Sequence, residues 1–213
     1  MSSDKKAEFG PKFGVDTPLY RHHTTSLVFN DPPLHTRVRK LLAAAFTPRA
    51  LAAMQPRIEA VVDDLIDRSI ARGSMDLIED FAFRLPVEVI CDMLGVPPGE
   101  RAPFRRYSLA ILGALEPVTG PERLAAGNAA VSEFSSYLDG LIAARRQRQA
   151  DDRDVLGTLI HGEIDGERLS HDELVQNCIF LLNAGHETTT NLIGNTVDAL
   201  LRFPDELRRV RRD

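Results

Sequence analysis

The chain has 213 residues, of which 43% are hydrophobic and 27% charged, proportions typical of a globular protein with one large or two small domains. Its formal net charge is −5 and no basic face dominates, which argues against nucleic acid and anionic membranes as partners. The N-terminus lacks the apolar run of a signal peptide and no apolar segment reaches the roughly 20 residues of a membrane span, so we expect a cytoplasmic protein without a membrane span.

The first part of the chain, residues 1–31, is rich in Gly, Pro, Thr and His and shows little periodicity. We therefore predict an extended loop there. A first helix is predicted over 32–46, with Asp31 as its cap and apolar residues at helical spacing. A second helix is predicted over 48–73, where Gly73 provides the stop.

The middle of the chain is predicted to be helical apart from one short segment. Met75–Ile78 has the composition of an edge strand. Three helices are then predicted, over 81–94, 100–113 and 121–149. The predicted fold class is therefore mainly α.

The last third of the chain predicts a hairpin followed by a long helix. Residues 164–169 contain an Asp-Gly pair, which tight hairpins prefer because both central residues of a type I′ turn need positive φ. A Ser-x-x-Glu capping box begins at Ser170. The apolar pattern then continues far enough to predict a helix over 170–203, roughly 50 Å long, in the middle of the domain.

The centre of this helix, residues 184–190, reads AGHETTT and is a poor choice for helix stability. Glycine costs about 1 kcal/mol against alanine, and successive β-branched residues add to that. Threonine hydroxyls can bond back to carbonyls one turn earlier and loosen the helix. An acid beside a hydroxyl in a locally opened helix could relay protons to a ligand. The alternative is a packing notch for a crossing helix.

The sequence Ala-Gly-His-Glu-Thr-Thr on a long helix resembles the oxygen-activation motif of the cytochrome P450 family. The resemblance implies that this helix lies over a heme. It implies that Thr188 stabilises dioxygen there and that Glu187 helps to deliver protons. It also implies that Ala184 and Gly185 leave room for the oxygen.

A second stretch, DPPLHTRVR from Asp31 to Arg39, is similar to the C-helix signature of the same family, in which a His and an Arg four residues later bind the heme propionates. Residues four apart lie on one helical face, so His35 and Arg39 could present two donors to one carboxylate edge. Arg37 and Lys40 point elsewhere. On the family's pattern they face an electron-transfer partner such as a ferredoxin, and a solvated pair of charges is the alternative.

The resemblance spans most of residues 24–213 and implies a partial P450 fold with the C to I helices, the start of J and a short β-hairpin. In the family's order, the helices are C over 32–46, D over 48–73, E over 81–94, F and G over 100–149, and I over 170–203. The resemblance implies that heme is the cofactor and that dioxygen and a small organic substrate react. Phe180 and Asn183, one turn before the motif, would line the substrate pocket.

The chain departs from the family at the iron ligand, which is a cysteine thiolate. Neither Cys91 nor Cys178 lies in the family's ligand loop, and both lie in apolar helical patterns typical of buried, reduced thiols. Glu206 and Arg209 match the bare E-x-x-R pattern but follow the long helix too soon, so we expect an ordinary surface pair on the next helix. The resemblance therefore implies a truncated middle portion of a monooxygenase that is not catalytic alone.

Two other classes of function remain open. The chain could be a non-catalytic helical protein that binds a small apolar ligand or a partner chain, or a nonfunctional remnant. A metal site is not expected: the zincin pattern H-E-x-x-H fails at Thr190. His22, His23 and His161 lack companion ligands, and we expect solvated loop histidines.

Overall fold

A computed structural model describes residues 5–147 and 154–212. Within these residues the chain is almost entirely helical, which confirms the predicted fold class. Single 3-10 turns at Leu27–Phe29 and Pro98–Glu100 and a π-helical segment at Leu77–Ala82 accompany the α-helices. The α-helices are α1 (Lys5–Phe13), α2 (Pro18–Thr25), α3 (Leu34–Ala43), α4 (Pro48–Arg72), α5 (Arg84–Met93), α6 (Phe104–Gly113), α7 (Pro121–Gln147), α8 (Val155–His161), α9 (His171–Arg202) and α10 (Pro204–Val210).

The predicted loop over 1–31 is wrong, because α1 and α2 occupy most of it; residues 1–4 lie outside the described residues. Thr17 caps the start of α2, although the composition of this segment is typical of a loop. Thr17 Oγ1 accepts a hydrogen bond from the Tyr20 N–H at 3.2 Å, and Pro18 lies in the first turn. Tertiary contacts complete the helix. The Leu19 N–H donates to Asn128 Oδ1 at 2.9 Å, and Leu19 is fully buried.

The helices of the next section lie close to where the sequence predicts them. Thr47 caps α4 by accepting from the Ala50 N–H, and Gly73 ends it with φ of 73°, a left-handed conformation that favours glycine. The predicted helix over 121–149 corresponds to α7, and residues 148–149 lie outside the described part of the chain.

The predicted edge strand at Met75–Ile78 is also wrong, since the backbone enters the π-helical segment there. Asp76 Oδ1 accepts hydrogen bonds from the Ile78 and Glu79 N–H groups at 3.0 Å each. Asp80 in turn accepts from the Asp76 N–H at 2.9 Å. These local carboxylate bonds satisfy the backbone groups that a strand would need to pair with a neighbour.

The predicted hairpin is present as a tight turn without extended strands. Ile164 and Glu167 exchange two backbone hydrogen bonds of 3.0 and 2.9 Å. Asp165 and Gly166 between them have φ of 57° and 79°, as a type I′ turn requires.

The sequence did not predict α8, which is only one to two turns long. Asp154 caps it by accepting from the Gly157 N–H at 2.7 Å. The same carboxylate binds Arg145, near the end of α7, at a distance of 2.5 Å. Leu156 and Leu159 of α8 are buried in the core. A helix this short is fixed by its cap and its packing rather than by periodicity.

The long helix α9 runs through the domain as predicted. Ser170 and Glu173 form the capping box at its start. Its first half is buried among α2, α5, α6 and α7. Its second half emerges from the core, where Leu192 and Leu201 are two-thirds exposed. Within the described residues, no helix combines the length and apolarity needed to cross a bilayer.

The contact between α6 and α7 gives a test of packing at a glycine. A β-carbon on Gly127 would lie 2.9 Å from Ala114 Cβ and 3.2 Å from the Ala110 carbonyl oxygen. Crowding of this kind costs about 1–3 kcal/mol, against a gain of about 1 kcal/mol in helix propensity. We expect Gly127→Ala to lower the free energy of unfolding, measured by urea titration, by about 1 kcal/mol.

The matched control lies on the same helix. A β-carbon on Gly140 would meet no atom within 4 Å, so Gly140→Ala should raise the free energy of unfolding by up to about 1 kcal/mol. If both variants were stabilised equally, the close packing at Gly127 would be contradicted.

Candidate functional site

The basic side chains of α3 divide into two pairs with different surroundings. Arg37 binds the Glu173 carboxylate and donates from Nη1 to the Arg168 carbonyl oxygen at 3.2 Å. Lys40 Nζ lies 3.7 Å from Asp165 Oδ2. Both residues were predicted to meet an electron-transfer partner or solvent. Arg37 connects α3 to the start of α9, whereas Lys40 and Asp165 are both largely exposed, as a solvated pair of charges would be.

His35 and Arg39 form the other pair, one turn apart on α3. His35 is half-buried and Arg39 is exposed. Among residues 5–147 and 154–212, neither side chain makes a hydrogen bond or an ion pair. The two donors predicted to hold propionates are therefore the two basic side chains of α3 that remain available for an anion.

The hydroxyl groups in the centre of α9 bond back to the helix as predicted. Thr188 Oγ1 donates to the Ala184 carbonyl oxygen at 2.7 Å, and Thr190 Oγ1 donates to the His186 carbonyl oxygen at 2.9 Å. The helix nevertheless continues without a break from His171 to Arg202. The local opening that we expected is not present.

Three of the predicted site residues share an open face of α9. Ala184, Glu187 and Thr188 are all exposed, and positions three or four apart project on the same side of a helix. The face therefore presents a methyl group, a carboxylate and a hydroxyl together. Of the two predicted pocket residues, Phe180 is half-buried and Asn183 is buried.

Gly185 has a packing role in the structure. A β-carbon there would lie 2.7 Å from Ile90 Cδ1 on α5. Gly194 repeats the arrangement, with Ile78 Cδ1 at 2.8 Å. The packing-notch interpretation thus describes what this glycine does in the fold, and a role for Gly185 beside a cofactor stays a prediction.

His186 lies on the covered side of α9 and was not singled out by the sequence. It is 1% exposed, and its Nδ1 is 3.0 Å from Ser108 Oγ. Its ring stands nearly perpendicular to that of Phe83 at 4.2 Å. Burial, with a smaller contribution from Arg105, lowers the pKa of His186 to about 4. The available signal was its spacing of seven residues from Ile179, which places it on the apolar stripe.

His22 and His23 are buried, which corrects the prediction of solvated loop histidines. His22 Nδ1 lies 3.2 Å from Gln176 Oε1, and His23 Nδ1 donates to the Leu19 carbonyl oxygen at 2.7 Å. Burial, together with the neighbouring His23, lowers the pKa of His22 to about 3. Burial also lowers the pKa of His23 to about 4. Both residues serve packing, whereas His161 is exposed as predicted.

Cys91 and Cys178 are free and buried, as predicted. Burial raises the pKa of each thiol to about 12. A thiolate that coordinates a metal must be deprotonated and accessible. Neither cysteine meets these conditions in this fold.

The described residues supply two sets of groups, one on α3 and one on α9, that each suit a flat cofactor carrying carboxylates. His35 and Arg39 supply two unpaired donors on α3, which suit carboxylates. The open face of α9 supplies a small side chain at Ala184 and a hydroxyl at Thr188, beside the carboxylate of Glu187. Heme is such a cofactor, because it is flat and carries two propionates.

Comparisons with known proteins point in one direction. A family model described as cytochrome P450 matches residues 118–213. The chain is 44% identical over 207 residues to cytochrome P450 107B1 of Saccharopolyspora erythraea, covering 97% of this chain and 47% of that relative. It is 39% identical over 214 residues to the cytochrome P450 monooxygenase PikC of Streptomyces venezuelae, covering 95% of this chain and 49% of PikC.

Among solved structures, the crystal structure of CalO2 superposes with a TM-score of 0.91 at 29% sequence identity, covering 100% of this chain and 52% of that one. The chain spans about half the length of the curated relatives that it matches.

Proposed function

Because the chain belongs to the cytochrome P450 family, we propose that it supplies the oxygen-side and propionate-binding parts of a heme-dependent monooxygenase. The observation that carries this proposal is the open face of α9, where Ala184, Glu187 and Thr188 are exposed together. The unpaired donors His35 and Arg39 on α3 support it.

Heme, when bound, supplies the iron at which dioxygen is reduced so that one oxygen atom enters a small organic substrate. The residues of this chain would bind and move protons around that chemistry. The Thr188 hydroxyl donates to the Ala184 carbonyl, so its oxygen lone pairs stay open to accept a hydrogen bond from water. Rotation about its side-chain bond would turn the hydroxyl proton outward instead. Glu187, one residue before, would pass protons from solvent to this position.

The partners of the reaction belong to the same proposal. Phe180 and Asn183 would line the pocket for the organic substrate, whose identity would depend on further side chains. A ferredoxin-type protein would donate electrons. Its contact surface would lie away from Arg37, since Arg37 is paired with Glu173 within the chain. A cytoplasmic location accords with the free thiols of Cys91 and Cys178.

A hemin titration of the 213-residue chain, followed in the Soret region, tests the proposal. We expect the double substitution His35→Ala, Arg39→Ala to weaken hemin binding about tenfold, the effect of losing partly exposed charge-assisted hydrogen bonds. The matched control His161→Ala, Arg68→Ala removes one His and one Arg from exposed positions elsewhere and should leave the affinity unchanged. Equal affinities for the wild type and the His35, Arg39 variant would refute the proposed cofactor site.

The same sample distinguishes the ligand of the iron. After reduction under carbon monoxide we expect no red-shifted Soret band of thiolate ligation, because Cys91 and Cys178 are buried with raised pKa values. Appearance of that band would mean that one of these thiols reaches the iron.

One observation favours a second candidate, a non-catalytic protein that binds a partner chain. Leu192, Leu201 and Phe203 are each about two-thirds exposed, and such apolar surface commonly marks an interface. This candidate assigns no role to the donors on α3. It therefore predicts that hemin binding, if any, is insensitive to His35 and Arg39.

A further inference from the structure

We propose that Arg37 is a positioning residue for the heme propionates, although it does not touch them. By binding the start of α9, Arg37 fixes the rotation of α3 about its axis and so directs His35 and Arg39 toward their anion. This inference rests on the proposed function and adds a residue that the family's motif does not assign.

The Arg37 guanidinium contacts groups on two neighbouring segments. One terminal nitrogen binds Glu173, and the other donates to the Arg168 carbonyl oxygen at 3.2 Å. Nε lies 3.8 Å from Glu167 Oε2 in the hairpin. The Arg37 side chain is 26% exposed and that of Glu173 only 12%. A guanidinium held by several groups in a partly buried setting has a defined direction, unlike a single surface ion pair.

Because α3 is a regular helix, the contacts of Arg37 on one side also orient the side chains of His35 and Arg39 on the opposite side. Successive residues of an α-helix are rotated by about 100°, so Arg37 projects about 160° away from both His35 and Arg39. Holding Arg37 against α9 therefore holds the other two side chains on the far side. Val38 and Leu42 also anchor α3 in the core, and the hydrogen bonds of Arg37 add a directional restraint to that packing.

Glu173 is a rigid point of attachment because α9 itself fixes it. Its Oε2 accepts from the Ser170 N–H at 2.8 Å as part of the capping box, while Oε1 receives Arg37. The carboxylate that closes the first turn of α9 thus also holds α3. Arg37 thereby sets α3 relative to the helix that carries Thr188, about 22 Å further along.

Hemin affinity in two backgrounds tests whether Arg37 acts through His35 and Arg39. In the wild-type chain we expect Arg37→Gln to weaken hemin binding about fivefold, because donors without a fixed direction must be ordered on binding. In the His35→Ala, Arg39→Ala background the same substitution should change the affinity less than about twofold. A purely structural role would lower the affinity by the same factor in both backgrounds, and that result would overturn the inference.

Two further variants keep the test decisive if Arg37→Gln impairs folding. Glu173→Gln can retain the bond from the Ser170 N–H but loses the charge that binds Arg37, and should reproduce the fivefold loss. Lys40→Gln is the control, because its pair with Asp165 is 62% and 80% exposed, and it should leave the affinity unchanged. Circular dichroism establishes that each variant retains its helices.

The outcomes separate this inference from the proposed function. If the His35, Arg39 double variant binds hemin as tightly as the wild type, the proposed site is refuted and the role of Arg37 with it. If the double variant binds weakly but Arg37→Gln and Glu173→Gln bind normally, the proposed function stands and only the positioning role is overturned.

Discussion

Acidification from pH 7 toward pH 4 is expected to unfold the chain in a steep transition, because three histidines are buried in neutral form. The folded-state pKa values of His22, His23 and His186 are about 3, 4 and 4, below the 6.5 of an unperturbed histidine. The unfolded chain therefore binds more protons below pH 6.5. The contribution of the three histidines to the free energy of unfolding is complete above pH 6.5. It is lost as the pH falls toward their folded-state pKa values.

The expected loss of unfolding free energy is large in relation to the total stability of a domain. Each such histidine contributes up to about 1.4 kcal/mol per pH unit, so the three together give about 4 kcal/mol per unit. A total stability of about 5–15 kcal/mol would be consumed within about one to four pH units below pH 6.5. Carboxylates with lowered pKa values, such as Glu79 and Asp80, would contribute only at more acidic pH.

Urea titrations at successive pH values between 7 and 4.5, followed by circular dichroism, measure this dependence. His186→Gln should reduce the slope of unfolding free energy against pH by about one third, because one proton-binding group is removed. His161→Gln, at an exposed position, should leave the slope unchanged. A slope in His186→Gln equal to that of the wild type would show that His186 is not buried in neutral form.

Replacement of Arg101 by methionine is expected to cost about 2–4 kcal/mol of unfolding free energy. The Arg101 side chain is only 7% exposed and binds Glu88 and Asp92. It also donates to the Val96 carbonyl oxygen from two nitrogens, at 3.0 and 2.8 Å. Methionine fills much of the volume but leaves two partly buried carboxylates and a carbonyl without their donor. The loss should be seen in chemical unfolding at pH 7.

Arg57 provides the control for the loss of an ion pair with Asp92 at an exposed position. It binds the same Asp92 carboxylate at 2.7 Å, but its side chain is 52% exposed. Arg57→Met should therefore cost less than about 1 kcal/mol. Similar losses in the two variants would mean that burial of the Arg101 guanidinium does not determine its contribution.

The parts of the fold that could be predicted are those specified by nearby residues. The capping box at Ser170, the turn at Asp165 and Gly166 and the stop at Gly73 each depend on backbone geometry within a few positions. The shared face of Ala184, Glu187 and Thr188 likewise follows from helical spacing. All of these are present in the structure.

The parts that could not be predicted depend on residues distant in sequence. Residues 18–25 form a helix partly because Leu19 bonds to Asn128 and His22 to Gln176, and neither contact can be inferred from the local composition of a Gly- and Pro-rich segment. The partner of Arg37 was missed for the same reason, since 136 residues separate it from Glu173. Helix propensity and turn signals carry no information about such pairs.

The two glycines of α9 help to set the axial register of the helix through apolar contacts. Ile90 and Ile78 occupy the gaps above Gly185 and Gly194, two points that lie about 13 Å apart along the helix. A slide of one turn would bring other side chains against each isoleucine, so these apolar contacts help to set the height of Thr188 along the helix axis. Substitutions at Glu187 or Thr188 can therefore change the chemistry of that face while the helix stays where it is.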